Sequence, residues 1–182
     1  MKHAIITVIG KDQPGIIAGV TGILYKERLN LEDISMTILE GEFAMMLIVA
    51  IPSARKNDSV QGKLKAWQKK TGVQVRFNEI HHELKRGEKH GKGTVPHILS
   101  IVARDKTGIV YTTSQILARH GLNITDLNSK ILGKGSKTLY AMLLEVDIPR
   151  NFAPAKIKRI SVNLATKLKT AVELKAVERF EF

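Results

Sequence analysis

The sequence predicts an α+β chain made of two successive βαββαβ units, and three observations carry that prediction. Short β-branched runs alternate with helical apolar stripes, in the same order twice. The run Ile5-Ile6-Thr7-Val8-Ile9, a polar turn closed by Pro14-Gly15 and the apolar start Ile16-Ile17 return as Leu99–Ala103, a turn closed by Gly108, and Ile109-Val110. Asp12, Gly15, Asn30 and Asp33 stand 93 residues before Asp105, Gly108, Asn123 and Asp126, and one constant offset marks an internal repeat.

Each element has its own reason. Ala4–Ile9 is short, β-branched and bounded by Gly10, which reads as a buried strand. Pro14 suits a first helical turn, where its missing N–H is no loss. Ile16, Ile17, Val20, Ile23 and Leu24 then share a helical face. Leu31–Leu39 and Phe43–Ile51 flank the turn Glu40-Gly41-Glu42 and read as an antiparallel hairpin, stopped by Pro52. Val60, Leu64 and Trp67 recur at helical spacing before the stop Thr71-Gly72. Val73–Ile80 closes the unit, so the order is that of the ferredoxin-like split βαβ fold: an antiparallel sheet with helices on one face.

The second half repeats this through His97–Ala103, a helix ending at His120-Gly121, the hairpin Asn123–Leu132 and Thr138–Ile148, a helix on Ile157, Ile160, Leu164 and Leu168, and Val172–Phe180. Its hairpin loop is four residues longer and contains Gly133–Lys137. We therefore divide the chain into residues 1–82, a basic Gly/Lys-rich linker at 83–96 without periodicity, and 97–182.

Composition narrows the function classes. No apolar run approaches the roughly 20 residues that span a bilayer, and Met1-Lys2-His3 leads directly into a strand-like run, so no signal peptide is read. The absence of cysteine removes disulfides and thiolate chemistry and fits a cytoplasmic protein. Net charge is +12, and residues 97–182 hold 14 Lys and Arg against 7 Asp and Glu. That excess raises nucleic-acid binding as a reading. Strand aromatics are few (Phe43, Phe77, Tyr140), which argues against base stacking on the sheet. The basic set Lys156, Lys158, Arg159, Lys167 and Lys169 reads as the wet face of a helix. The histidines show no helical or hairpin ligand spacing, so no metal is expected. No nucleophile has a neighbouring base, so no enzyme class and no cofactor is expected.

The two β-to-α turns carry the chemistry. Gly15 lets a ligand approach the backbone, and the amides of a helix N-terminus beyond it favour a carboxylate or phosphate. Asp12 and Gln13 stand where a side chain caps a helix, and Asp12 is also placed to accept an ammonium. Anion site and carboxylate together suit an α-amino acid. Asn30 and Asp33 are poor strand formers that open a strand, by a turn role or a binding role.

Asp-Gln-Pro-Gly-Ile-Ile (12–17) followed by Asp-Ile-Ser-Met-Thr-Ile-Leu-Glu-Gly-Glu-Phe-Ala-Met (33–45) resembles an ACT domain. Asp105-Lys106-Thr107-Gly108-Ile109-Val110 and Asn123-Ile124-Thr125-Asp126-Leu127 resemble it again, with Thr107 in place of Pro14. Two such domains cover almost the whole chain, a layout similar to the glycine cleavage system transcriptional repressor family. The resemblance implies side-by-side sheet association and a small amino acid held between ACT units. It implies contacts from the loop around Gly15 and the strand start near Asn30. The candidate ligand residues are Asp12, Gln13, Pro14, Gly15, Ile16, Asn30 and Asp33, with Asp105, Gly108, Ile109, Asn123 and Asp126 in the second copy. The expected function is an amino-acid sensor, a homo-oligomer acting through a protein partner such as an enzyme or transcription regulator. The alternatives are a ligand-free interaction module and a non-specific nucleic-acid binder.

Overall fold

The structure, a computed structural model, describes residues 2–52, 57–84, 89–135 and 138–177. The chain divides into two compact units, residues 1–84 and 85–182. In the first, the elements are β1 (Lys2–Lys11), α1 (Ile16–Lys26), β2 (Asn30–Leu39), β3 (Glu42–Ile51), α2 (Asp58–Thr71) and β4 (Gln74–Ile80). In the second they are β5 (Thr94–Arg104), α3 (Ile109–Arg119), β6 (Asn123–Leu132), β7 (Leu139–Pro149), α4 (Pro154–Leu168) and β8 (Val172–Ala176). The sheets have strand order β2-β3-β1-β4 and β6-β7-β5-β8, and every pairing is antiparallel. Two ferredoxin-like βαββαβ units are therefore present. Among the described residues no helix is long and apolar enough to cross a membrane.

Strand alternation builds each core. Ala4, Ile6 and Val8 of β1 pair beside Phe43, Met45, Leu47, Val49 and Ile51 of β3, and all are buried under the helices. Ile16, Val20 and Leu24 of α1 and Val60 and Leu64 of α2 close the cluster. The second unit repeats it with Leu99, Ile101 and Ala103 against Met142, Leu144, Val146 and Ile148, under Ile109, Ile116, Leu117, Ile160 and Leu164. The β2–β3 turn places Glu40 and Gly41 both at positive φ, 51° and 84°, the pattern of a type I′ hairpin.

Two details differ from the sequence reading. Ile17 and Val110, expected on the core faces, are 42% and 38% exposed, while Ile16 and Ile109 beside them take the core positions of the first turn. Ile34, Met36 and Ile38 share the helix side of β2, as their spacing predicts, and all three are exposed. The linker is not a free loop throughout: β5 begins at Thr94, within the expected linker, and residues 89–91 are bonded to β7. Residues 85–88, Ser136-Lys137 of the longer hairpin and residues 178–182 of the expected last strand lie outside the described residues.

Candidate ligand-binding site

The two β-to-α loops are fixed in the same way. After β1 the Asp12 amide donates to the Gly41 carbonyl at 2.8 Å, and the Gln13 side chain donates to the Thr71 carbonyl at 3.4 Å. After β5 the Asp105 amide donates to Thr138 at 3.1 Å, and the Lys106 ammonium donates to Leu168 at 3.2 Å. Each loop is thus tied to its hairpin and to the last turn of the second helix. Gln13 is directed to that helix end and away from the helix it precedes.

Gly15 and Gly108 then take the N-cap positions at φ 96° and 92°. A side chain there is strained by the backbone rather than by crowding, since a Cβ would meet nothing within 4 Å. No side chain caps either helix, so the expected capping by Asp12 or Gln13 does not occur. The first backbone bonds run from Gly19 to Gly15 and from Thr112 to Gly108, both 2.8 Å. The amides of residues 16–18 and 109–111 come before them, at the positive end of the helix dipole. Ile16 and Ile109 are 3% and 2% exposed, so their side chains belong to the core and offer a ligand only their backbone. Asp12, Pro14, Asp105 and Thr107 are exposed around the loops.

The strand starts are built alike in both units. Register slips between Leu31 and Asp33, and again between Ile124 and Asp126, which leaves Glu32 and Thr125 as bulge residues. The Asp33 carboxylate accepts the Ile34 amide at 2.8 Å, and that of Asp126 accepts the Leu127 amide at 2.9 Å. These aspartates close the bulge, which accounts for their recurrence on local grounds. Asn30 and Asn123 are exposed at the strand tips.

Register places the two halves of the candidate set far apart within a unit. Asn30 stands level with Ala50, which pairs with His3 at the start of β1, whereas Gly15 follows the end of β1. Ten residues of strand separate the levels, about 30 Å. One unit therefore cannot bring Gly15 and Asn30 to one small ligand.

Sequence reasoning passed over an acidic cluster on the outer side of β7. Asp147, 4% exposed, accepts the Gly91 amide at 2.7 Å and meets His90 Nδ1 at 2.8 Å. Glu145 lies 3.0 Å from His90 Nε2 and 3.1 Å from the Lys89 ammonium. Asp126 stands 3.6 Å from the same ammonium. Burial alone would raise the Asp147 pKa, but the Gly91 amide and His90 outweigh it and hold the carboxyl below its ordinary value. The hydrogen bond that the Lys89 ammonium donates to Glu145 raises its pKa above the ordinary lysine value. The matching positions of β3 are Ile48 and Ala50, so two acids interrupting an apolar strand were the available signal. Among the described residues no group of three or more His, Cys, Asp or Glu is placed to hold a metal ion.

The two units are alike in fold and in the glycine-opened start of their first helix. Residues 2–78 match the family model described as ACT domain. The UPF0237 protein of Methanopyrus kandleri is 40% identical over 84 residues, which are 46% of this chain and 90% of that protein. Its counterpart in Bifidobacterium longum is 43% identical over 88 residues, 44% of this chain and 98% of that protein. A crystal structure of an unknown protein from Galdieria sulphuraria superposes with a TM-score of 0.77 at 23% identity, covering 97% of this chain and 99% of that one. A candidate glycine cleavage system transcriptional repressor superposes at 0.72 and 16% identity, covering 98% of both chains. The last two likenesses concern the fold. The chain belongs to the ACT domain family, whose model matches its first unit, and the ACT domain is a regulatory ligand-binding module.

Proposed function

We propose that the chain is a sensor of a small amino acid that acts through ligand-dependent contacts with a protein partner and has no catalytic activity of its own. The observation that carries this reading is the uncapped amide cluster after Gly15, present again after Gly108. Such amides hold a carboxylate, and the exposed Asp12 or Asp105 beside them suits the ammonium of the same molecule. The separation of Gly15 from Asn30 supports a ligand shared between ACT units, one supplying the loop and a second the strand tip. Antiparallel approach of two β2 edges would bring those ends together. The exposed Ile34, Met36 and Ile38 on β2, with Leu127 and Ile131 on β6, are apolar flanks for such an approach. A ligand bound there shifts assembly only as far as it binds one packing better than another. Control of transcription in amino-acid metabolism, in the cytoplasm, belongs to the same proposal through the partner.

Calorimetry with a panel of amino acids tests it. Binding by at least one is expected, and Gly15→Val, which forces a β-branched residue to positive φ, weakens it tenfold or more. No heat from any amino acid, with the fold intact, rejects sensing. A pulldown with and without the bound amino acid separates a sensor from a ligand-free interaction module, since only a sensor exchanges partners.

A further inference from the structure

Leu144, Val146 and Ile148 of β7 belong to the second core, so Glu145 and Asp147, which alternate with them, point to the open face of the sheet. Residues 89–91, just before β5, meet them there. His90 stands between the two carboxylates, with Nδ1 2.8 Å from Asp147 and Nε2 3.0 Å from Glu145. Its side chain is 25% exposed, and those of Asp147 and Glu145 are 4% and 19%. The matching positions of the first unit, Ile48 and Ala50, offer such a ring nothing.

The charge of the ring decides whether both contacts hold. A neutral imidazole has one donor and one acceptor nitrogen, an imidazolium has two donors, and an ionised carboxylate only accepts. With a neutral ring, one of the two nitrogens sets a lone pair against a carboxylate. Only the imidazolium makes both contacts as hydrogen bonds. The remaining partners are fixed. Asp147 also accepts the Gly91 amide at 2.7 Å. Glu145 also accepts the Thr125 hydroxyl and the Lys89 ammonium, both at 3.1 Å. Asp126 of β6 stands 3.6 Å from Lys89. Asp126, Glu145 and Asp147 thus face Lys89 and a charged ring in one state, and Lys89 alone in the other.

We propose that His90 is a pH-sensitive pin: as an imidazolium it clamps residues 89–91 to β7, and as a neutral ring it lets them go. The clamp is full where the ring is charged and the carboxylates are ionised. It weakens as pH rises through the range in which imidazole loses its proton, and it fails again in strong acid, where Asp147 itself is protonated. Lys89, whose pKa lies above the ordinary lysine value, stays charged through the upper change and does not cause it. Release moves the fixed point of the chain from Lys89 to Gly93, whose carbonyl accepts the Arg150 amide at 2.9 Å. Residues 89–92 then add up to about 14 Å to the reach of the chain that leads in from the first unit. The helix starts at Gly15 and Gly108 take no part, so this inference is independent of amino-acid binding.

Exchange of the Gly91 amide, followed by NMR on the full chain and corrected for the intrinsic effect of pH on exchange, reads the clamp between about pH 5.5 and 8.5. The nitrogen-15 shifts of the His90 ring in the same samples read its protonation. Protection of Gly91 is expected to fall at least about fivefold over this range, with the midpoint at which the ring loses its proton. His90→Gln keeps a donor but cannot titrate, and leaves His3 and His97 in place. It is expected to show low protection that does not change with pH, with an unchanged circular dichroism spectrum. Wild-type protection that stays level overturns the proposal. So does a fall that does not follow the His90 ring, or an equal fall in folded His90→Gln. If His90→Gln does not fold, the comparison of amide and ring in the wild type decides by itself.

Discussion

Asp147 shows how one substitution in a repeat changes what a strand can hold. Its counterpart Ala50 needs no partner, whereas a buried carboxylate must have one. The chain supplies the Gly91 amide and His90 from the segment before β5. Because the folded-state pKa is depressed, the stabilisation is fully present above the ordinary carboxyl value of 3.8 and is lost as pH falls through the lower folded value. Asp147→Asn keeps the shape and removes the charge, and should cost the second unit about 1–3 kcal/mol at pH 7. The gap between variant and wild type should close once the wild-type carboxyl is itself protonated, in strong acid. Urea unfolding followed by circular dichroism at both pH values measures this. The only tryptophan, Trp67, lies in the first unit, so circular dichroism is the probe that includes the second. A gap of equal size in strong acid would mean that the ionised carboxylate is not what holds the segment.

At the scale of elements, α1 and α2 meet where Gly19 faces Trp67. A Cβ on Gly19 would overlap the indole, whereas one on Gly22, a turn further along the same helix, would meet nothing within 4 Å. Two effects of opposite sign therefore separate. Alanine gains about 1 kcal/mol of helix propensity at either position, and overpacking costs about 1–3 kcal/mol only at Gly19. Gly22→Ala should raise the unfolding midpoint read by Trp67 fluorescence, and Gly19→Ala should lower it. Equal stabilisation by both would show that the indole moves aside freely. The elements themselves were legible in the sequence, because strand and helix periods are local properties of the chain. Val60, Leu64 and Trp67, for example, predicted the face that α2 buries. The expected ferredoxin-like class and the strand-and-helix order are those of the structure. What was not legible depended on neighbours. Ile17 fits the helix period as well as Val20 does, and only the packed core shows that Ile16 rather than Ile17 is buried in the first turn. Asp33 read equally as a ligand group or a turn group until the bulge gave it the Ile34 amide. Lys89 and His90 looked like linker because their partners, Glu145 and Asp147, lie more than fifty residues away.

At the scale of the whole molecule, β2 and β6 are the outer strands of their sheets and carry exposed apolar side chains. Met36→Lys with Leu127→Lys places charge at those edges on the helix side of the sheets. Amino-acid binding, read by calorimetry, should fall at least tenfold in this edge variant with an unchanged circular dichroism spectrum, because a ligand shared between ACT units needs two edges. An edge variant that binds amino acid as tightly as the wild type would place the ligand within a single unit. Asn30 would then have no part in holding it, because it lies a strand's length from Gly15.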